Sequence, residues 1–404
     1  MAKLISVETA LETIFAAISK QPILTLPLTE ANGHVLAQTQ YAKLTLPPLD
    51  ASAMDGYALK LEPHHTQGSM LKLIGEAPAG APYDGQVGTD ECVRIFTGGA
   101  VPKGANHVIM QENISADGTN ITLTEPISPS SHIRKAGIDF NTNDQLVTAG
   151  TRLDAYALAL LAAANHKDVP VYKRPRVALI ANGDELREPG SDMQTGQIIS
   201  SNPYGLAPLI TEWGGEPIFT GISKDDPDAI RAHIKNYANV DILVPIGGAS
   251  VGDRDYMKPV FESLGYTPHF SKVAVKPGKP TWFGMLNDQS VLGLPGNPAS
   301  AIVCAHIFLK PLIMALTGNK QQANTVVKAA STQDLPANTW RTGYTRAHAK
   351  IDKNGQISVT PYPRQDSSLL TPFLSANCFL VRPIDAPEIK AGDCIDIVMI
   401  KPLI

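Results

Sequence analysis

Five segments carry residue types and spacings that can do chemistry. The first is "DILVPIGGASVGDRD", 241–255. Glycines at 247, 248 and 252 let backbone N–H groups approach an anion closely, and a following helix offers its positive N-terminus. Asp253 and Asp255 repel phosphate unless a hard cation such as Mg²⁺ sits between. A plain turn with an aspartate capping the next helix is the other reading. The second segment, "ANGDEL" (181–186), places Asp184 and Glu185 after another apolar strand. Two strand ends that supply carboxylates suit a magnesium-assisted phosphate site. Simple helix capping by Asp184 is the alternative.

The third segment is "SKVAVKPGKP", 271–280. Read as a strand, it puts Lys272 and Lys276 on one face and Val273 and Val275 on the other. Pro277-Gly278 then predicts a type II turn presenting Lys279, with Pro280 stiffening its exit. Three lysines make a local anion site, or else a solvated hairpin. The fourth is "LPGNPAS", 294–300, where Asn297 or Ser300 is placed to cap a helix whose free N–H groups could meet an anion. A structural turn is equally consistent with it. The fifth, "LDASAMDGYA" (49–58), holds Asp50, Asp55 and a Met54 expected to be buried. "RKAGID" places Arg134 and Asp139 around a glycine turn. Spacing alone assigns neither a function.

Three regimes of sequence must position these segments. Residues 1–165 open with a helix whose Leu4, Leu11, Ile14, Phe15 and Ile18 face inward, then pass through short strands to the helix "YALALLAAANH". Residues 170–320 alternate wholly apolar strands with helices, which predicts a parallel sheet covered on both faces. Such sheets bind ligands beyond the carboxyl ends of their strands. Residues 325–404 are short strands separated by turns, a pattern that predicts a small all-β domain closed as a barrel. The fold class expected is therefore multidomain α/β, with a mixed α+β N-terminal region and a C-terminal β-barrel.

Composition narrows the function. The 404-residue chain has a net charge of −4, so no global basic field recruits nucleic acid. Cys92, Cys304, Cys378 and Cys394 form no C-x-x-C pair, and no H-E-x-x-H occurs. That argues against a zinc site or disulfide framework and for a reducing, cytoplasmic location. The N-terminus does not read as a signal peptide. The run "AIVCAHIFLKPLIMAL" is interrupted by His306, Lys310 and Pro311, which argues against a membrane span.

Taken in order, "SAMDGYA", "TGGAVPKGA", "RKAGID", "NGDEL", "GGASVGDRD", "KPGKP" and "LPGNPAS" resemble the molybdopterin molybdenumtransferase (MoeA and gephyrin E-domain) family across essentially the whole chain. The resemblance implies a central doubly wound domain like that of the MoaB/MogA adenylyltransferases, an elongated homodimer, and clefts built from both subunits. It implies that adenylylated molybdopterin and molybdate give molybdenum cofactor and AMP, with Mg²⁺ and no zinc, haem or nicotinamide. By motif, Asp184, Glu185 and Asp255 belong to the metal site. Gly247, Gly248, Ser250, Gly252, Asp225, Pro295, Gly296, Asn297 and Pro298 line the substrate pocket. Asp55, Thr97, Arg134 and Asp139 reach the cleft from the partner subunit. Lys276, Lys279, Pro280, Ser300, Arg346 and Ser367 surround molybdate, with Asp55, Glu185, Asp255, Lys276 and Lys279 as the catalytic set. An upstream adenylyltransferase and downstream molybdoenzyme chaperones are implied partners; nucleic acid and membrane are not. The chain departs from the family pattern at Asn106, His107, Asn182, Pro245, Ile246 and Asp366. Competing readings are a tungstate insertase, a diverged paralogue, a molybdopterin adenylyltransferase and a peptide-binding scaffold.

Overall fold

The computed structural model describes residues 4–248, 256–320 and 324–403. Its central element is a six-stranded sheet. The strands run, edge to edge, Glu216–Ser223, Arg176–Asn182, Ile242–Ile246, Gln289–Gly293, Trp282–Leu286 and Thr267–Phe270. The strand Arg176–Asn182 shows why the sheet is covered twice. Val177 and Leu179 enter one hydrophobic cluster, while Ala178 and Ile180 enter the other. Alternation along a strand sends successive side chains to opposite faces, so an apolar run needs helices on both. Helices Asn202–Glu212 and Pro298–Leu316 cover the first face; Pro227–Lys235 and Met257–Ser263 cover the second.

The sheet is not purely parallel, which corrects the expectation from sequence. Trp282–Leu286 runs antiparallel to both neighbours. The cause is local. Leu286 and Gln289 are joined by only two residues, with Asn287 at φ 53°. A link that short can reverse a chain but cannot carry it back for parallel pairing.

The apolar run after residue 297 forms one buried helical segment, Pro298–Leu316. It satisfies the length and apolarity of a membrane span, yet most of it packs inside the protein core. His306, Lys310 and Pro311 do not break it. Pro311 has no N–H to donate, and the helix widens to π geometry over Ala305–Leu309, where Lys310 N–H reaches Ala305 O. This bulge turns His306 between Trp213 and Phe379, with ring centroids at 5.0 and 5.6 Å.

Five strands, Val326–Ser331, Thr342–Ile351, Ile357–Pro361, Cys378–Arg382 and Cys394–Met399, close into the C-terminal barrel. Closure comes from Thr342–Ile351, which pairs with both Ile357–Pro361 and Cys378–Arg382. The first half of the chain holds another six-stranded sheet, spanning strands from Gly56–Leu59 to Asn120–Leu123. The first helix runs Val7–Ala17 and is capped by the Ser6 hydroxyl. It buries Val7, Ala10 and Ile14. Phe15, expected inward, is 45% exposed, because it lies one residue beyond Ile14 and so off the buried stripe.

Burial pushes His306 down to about 3, and its Nδ1 has no hydrogen-bond partner among the described residues. The folded state holds this ring neutral, whereas the unfolded chain protonates it near 6.5. Between about pH 6.5 and 3 the unfolded state therefore binds the extra proton, and stability falls as pH falls. His306→Phe is expected to flatten that part of the profile of denaturation midpoint against pH; an unchanged slope counts against this assignment.

Candidate functional site

The carboxyl ends of Arg176–Asn182, Ile242–Ile246 and Gln289–Gly293 open into a cleft of about 870 Å³. Its floor is backbone. Gly247 N–H donates to Leu294 O at 3.0 Å, at φ 92°. A Cβ built on Gly296 would lie 3.4 Å from Gly247 Cα. Two chain segments thus meet nearly without side chains, leaving room for a ligand. Gly248 joins the wall. Ser250, Gly252, Asp253 and Asp255 lie outside the described residues.

The acidic corner follows from the end of strand Arg176–Asn182. Asp225 N–H donates to Asp184 Oδ1 at 3.2 Å, and Asp184 N–H to Asp225 Oδ2 at 3.4 Å. Asn182 Nδ2 donates to Asp225 Oδ1. These bonds join two adjacent strand ends. They turn Asp184 and Asp225 toward one another, so neither is on the cleft wall, while Glu185 is. The sequence expectation that Asp184 and Glu185 project together is met by Glu185 alone. Its carboxylate folds over Gly183, where an added Cβ would come within 2.5 Å of Oε2.

The turn Pro295–Pro298 also lines the cleft. Asn297 holds the N-cap position of the helix that follows, but its side chain makes no capping bond, and Ser300 lies inside the helix. Asn297 Nδ2 instead donates to Ser367 Oγ at 2.9 Å, and Ser367 O accepts Ala299 N–H at 2.9 Å. The barrel loop has taken one of the helix-end donors. Ser300 is buried and off the wall.

Arg346 is 3% exposed and also off the wall. Its Nη1 donates to Leu369 O at 2.6 Å, Nη2 to Asp366 O at 2.8 Å and Nε to Gln365 Oε1 at 3.2 Å. The guanidinium straps the loop 365–369. Burial lowers its pKa, while the Asp366 charge opposes that shift. Asp366 accepts from Ser368 Oγ at 2.6 Å and N–H at 2.9 Å, and these bonds hold its carboxyl below the usual range. As a result Ser368, rather than Ser367, lines the cleft.

Of the lysines, Lys272 and Lys279 line the cleft with Pro280; Lys276 is exposed and does not. The alternative of a solvated hairpin is not met: only Val275–Lys276 is strand, pairing parallel with the barrel strand at Thr342 and Gly343. The Lys276–Pro277 peptide is cis. Gly278, at φ 117°, lies against Cys304, where a Cβ would come 2.1 Å from Sγ. The lysine turn is thereby seated on the helix beginning at Pro298. Burial pushes the Cys304 thiol up to about 12, so it stays protonated and inert. Lys279 Nζ sits 5.3 Å above the Trp340 ring.

A separate cluster forms in the first half of the chain. Asp55 accepts from Thr97 N–H at 2.7 Å and Thr97 Oγ at 2.8 Å, which holds its carboxyl below the usual range. Arg134 pairs with Ala51, and Asp50 accepts from Lys135 Nζ and Ala136 N–H. Asp139 N–H donates to Leu46 O at 3.2 Å. The three motifs are knit together, but Asp55, Thr97, Arg134 and Asp139 line no part of their own chain's cleft. Met54 is 41% exposed rather than buried, because Ser52 fills the inward position and bonds Met54 O.

One group of metal-ligating side chains, His64, His65 and Asp90, lies elsewhere. Glu62 N–H donates to His65 Nδ1 at 3.1 Å, so the neutral ring carries its proton on Nε2 and donates to Asp90. That nitrogen has no lone pair for a cation in this tautomer.

Sequence reasoning missed Asn182, Asn202 and Ser368 as cleft residues. The signals were present. "SSN" directly precedes a helical period, and "DSS" is an aspartate turn followed by serine.

Comparison with known proteins places the three regimes. The family model described as MoeA N-terminal region (domain I and II) matches residues 5–165. A probable molybdopterin binding domain matches 178–315, and the MoeA C-terminal region (domain IV) matches 328–400. A molybdopterin molybdenumtransferase from Haemophilus influenzae is 35% identical over 376 residues, 92% of each chain. One from Nostoc is 38% identical over 74% of this chain and 71% of its own. The solved molybdopterin biosynthesis moeA protein of Pyrococcus horikoshii superposes with a TM-score of 0.82 at 29% identity, covering 98% of this chain and all of that one.

Arg346 acts on the cleft through the loop it straps. Arg346→Ala is expected to cost on the order of 3 kcal/mol, since the charged hydrogen bonds of a buried guanidinium to two loop carbonyls are lost. It should also speed amide hydrogen exchange across 365–370. Exchange left unchanged in that loop would show that the strap does not set its position.

Proposed function

The chain belongs to the molybdopterin molybdenumtransferase family and is a transferase, and we propose that it inserts molybdate into adenylylated molybdopterin, releasing AMP, with Mg²⁺. The observation that carries this reading is the division of charge across one cleft. Lys272 follows the edge strand Thr267–Phe270, and Glu185 follows Arg176–Asn182, next to the other edge of the sheet, at the corner closed by Asp184 and Asp225; Lys279 and Ser368 line the same cleft.

The chemistry follows from that division. Molybdate is a tetrahedral dianion, and two lysines with a hydroxyl suit it. Lys272 and Lys279 hold the oxyanion beside the equally anionic dithiolene end of the substrate. The two reactants repel in water, so fixed positive charge lowers the barrier by position and electrostatics. Gly247, Gly248 and the turn Pro295–Pro298 admit the nucleotide end. Glu185 would hold Mg²⁺, because its carboxylate offers the oxygen donors that a hard cation prefers, while Asp184 is engaged with Asp225. When bound, Mg²⁺ supplies the positive charge that a pyrophosphate needs for cleavage. No cysteine is required. Cys92 and Cys378 are, like Cys304, buried and raised to about 12, and Cys394 is remote from the cleft wall.

Two copies complete the cleft in this reading. Asp55, Thr97, Arg134 and Asp139 stand away from their own chain's cleft, rimmed by the exposed Leu49, Met54 and Ile138. A polar cluster with an apolar border suits a second copy of the chain.

Purified protein with Mg²⁺ and adenylylated molybdopterin is titrated with molybdate while AMP is followed. Molybdate-dependent AMP release is expected. Glu185→Ala should abolish it, and Lys279→Ala should raise the molybdate needed by about tenfold, the loss of one charged contact. Bound nucleotide that molybdate never releases would overturn the reading for molybdate; a parallel tungstate arm separates the two oxyanions.

A further inference from the structure

We infer that the cleft selects a ligand edge carrying N–H donors, and that Asn182 and Asn202 are the residues that read it. The inference rests on the substrate class proposed above and names the groups that make it specific. Each amide has its donor half engaged by the protein. Asn182 Nδ2 donates to Asp225 Oδ1, and Asn202 Nδ2 donates to Gly296 O at 2.8 Å. A carboxylate and a carbonyl only accept, so neither amide can be turned over without setting lone pair against lone pair. Both Oδ1 atoms are therefore fixed as acceptors. Both are buried without a protein partner among the described residues, and both residues line the cleft. Asn182 itself is 9% exposed.

Two fixed acceptors reject phosphate and molybdate oxygens, which also accept. The neighbouring Glu185 strengthens that rejection, and Lys272 and Lys279 offer the anions a better place. The matching ligand group is an exocyclic amino group on a fused nitrogen heterocycle. An aminopterin and an adenine share that chemistry. A buried acceptor left unpaired is costly, so a ligand lacking the donor is penalised more than one hydrogen bond's net worth.

The test uses two ligand pairs without molybdate. Adenosine 5′-monophosphate is compared with purine riboside 5′-monophosphate, which lacks the amino group. Pterin is compared with 4-oxopteridine, which lacks the 2-amino group. Affinities are measured calorimetrically on the wild-type protein, Asn182→Ala and Asn202→Leu. The amino-bearing member of at least one pair should bind about tenfold tighter to the wild type, one well-made buried bond. The pair that discriminates identifies which ring the asparagines face. The ratio should fall toward one in whichever variant removes the acceptor. Wild-type ratios near one for both pairs, ratios kept in both variants, or no binding of any of the four would overturn the inference. The wild-type comparison stands even if a variant fails to fold. Discrimination without molybdate-dependent AMP release would overturn the transfer reading alone, and AMP release with ratios near one would overturn this inference alone.

Discussion

Ser367 is the joint on which the cleft depends. Its carbonyl accepts Ala299 N–H at the start of a helix, and its hydroxyl accepts from Asn297. A helix N-terminus leaves donors unsatisfied, and here a loop from the barrel satisfies one. That single exchange brings Ser368 and Leu370 to the wall of a cleft otherwise built from the central sheet. Arg346 makes the joint rigid. It is buried among loop carbonyls, where a guanidinium can bond several acceptors in one plane.

The same economy of parts recurs at the opposite end. Asp184 and Asp225 hold two strand ends together, each backbone N–H donating to the other's carboxylate, and in doing so leave Glu185 to line the cleft. A residue that positions and a residue that lines the cleft sit side by side in each case: Asp184 with Glu185, Ser367 with Ser368. The pairing is a consequence of chain geometry. Adjacent residues at a turn point in different directions, so one can anchor while its neighbour projects.

Buried nucleophiles and bases play no part in this arrangement. Three cysteines are held as thiols by burial, and His306 is held neutral inside the core. What the cleft offers is fixed charge, backbone openings and oriented amides. Those groups suit a transfer between two anionic substrates, where placement and electrostatics carry the rate.

The sequence by itself determined the alternating elements, the two-sided cover of the central sheet and the location of the cleft at its strand ends. These follow from local period and composition: Val177–Ala181 is apolar at every position, and Gly247 and Gly296 stand just past strands. It also marked Glu185, Lys279 and the Pro295–Pro298 turn, whose chemistry is contiguous with the strands that carry them. Tertiary structure alone decided which of two neighbours faces the ligand. Lys276 left the cleft because its strand pairs with the barrel, Arg346 because loop carbonyls captured its donors, and Ser300 because its helix turned it inward. Asn202 and Ser368 entered because hydrogen bonds across 94 residues, Asn202 to Gly296, and 70 residues, Asn297 to Ser367, brought their loops to the same cleft; local pattern marks a helix start and a turn but not which distant loop each meets.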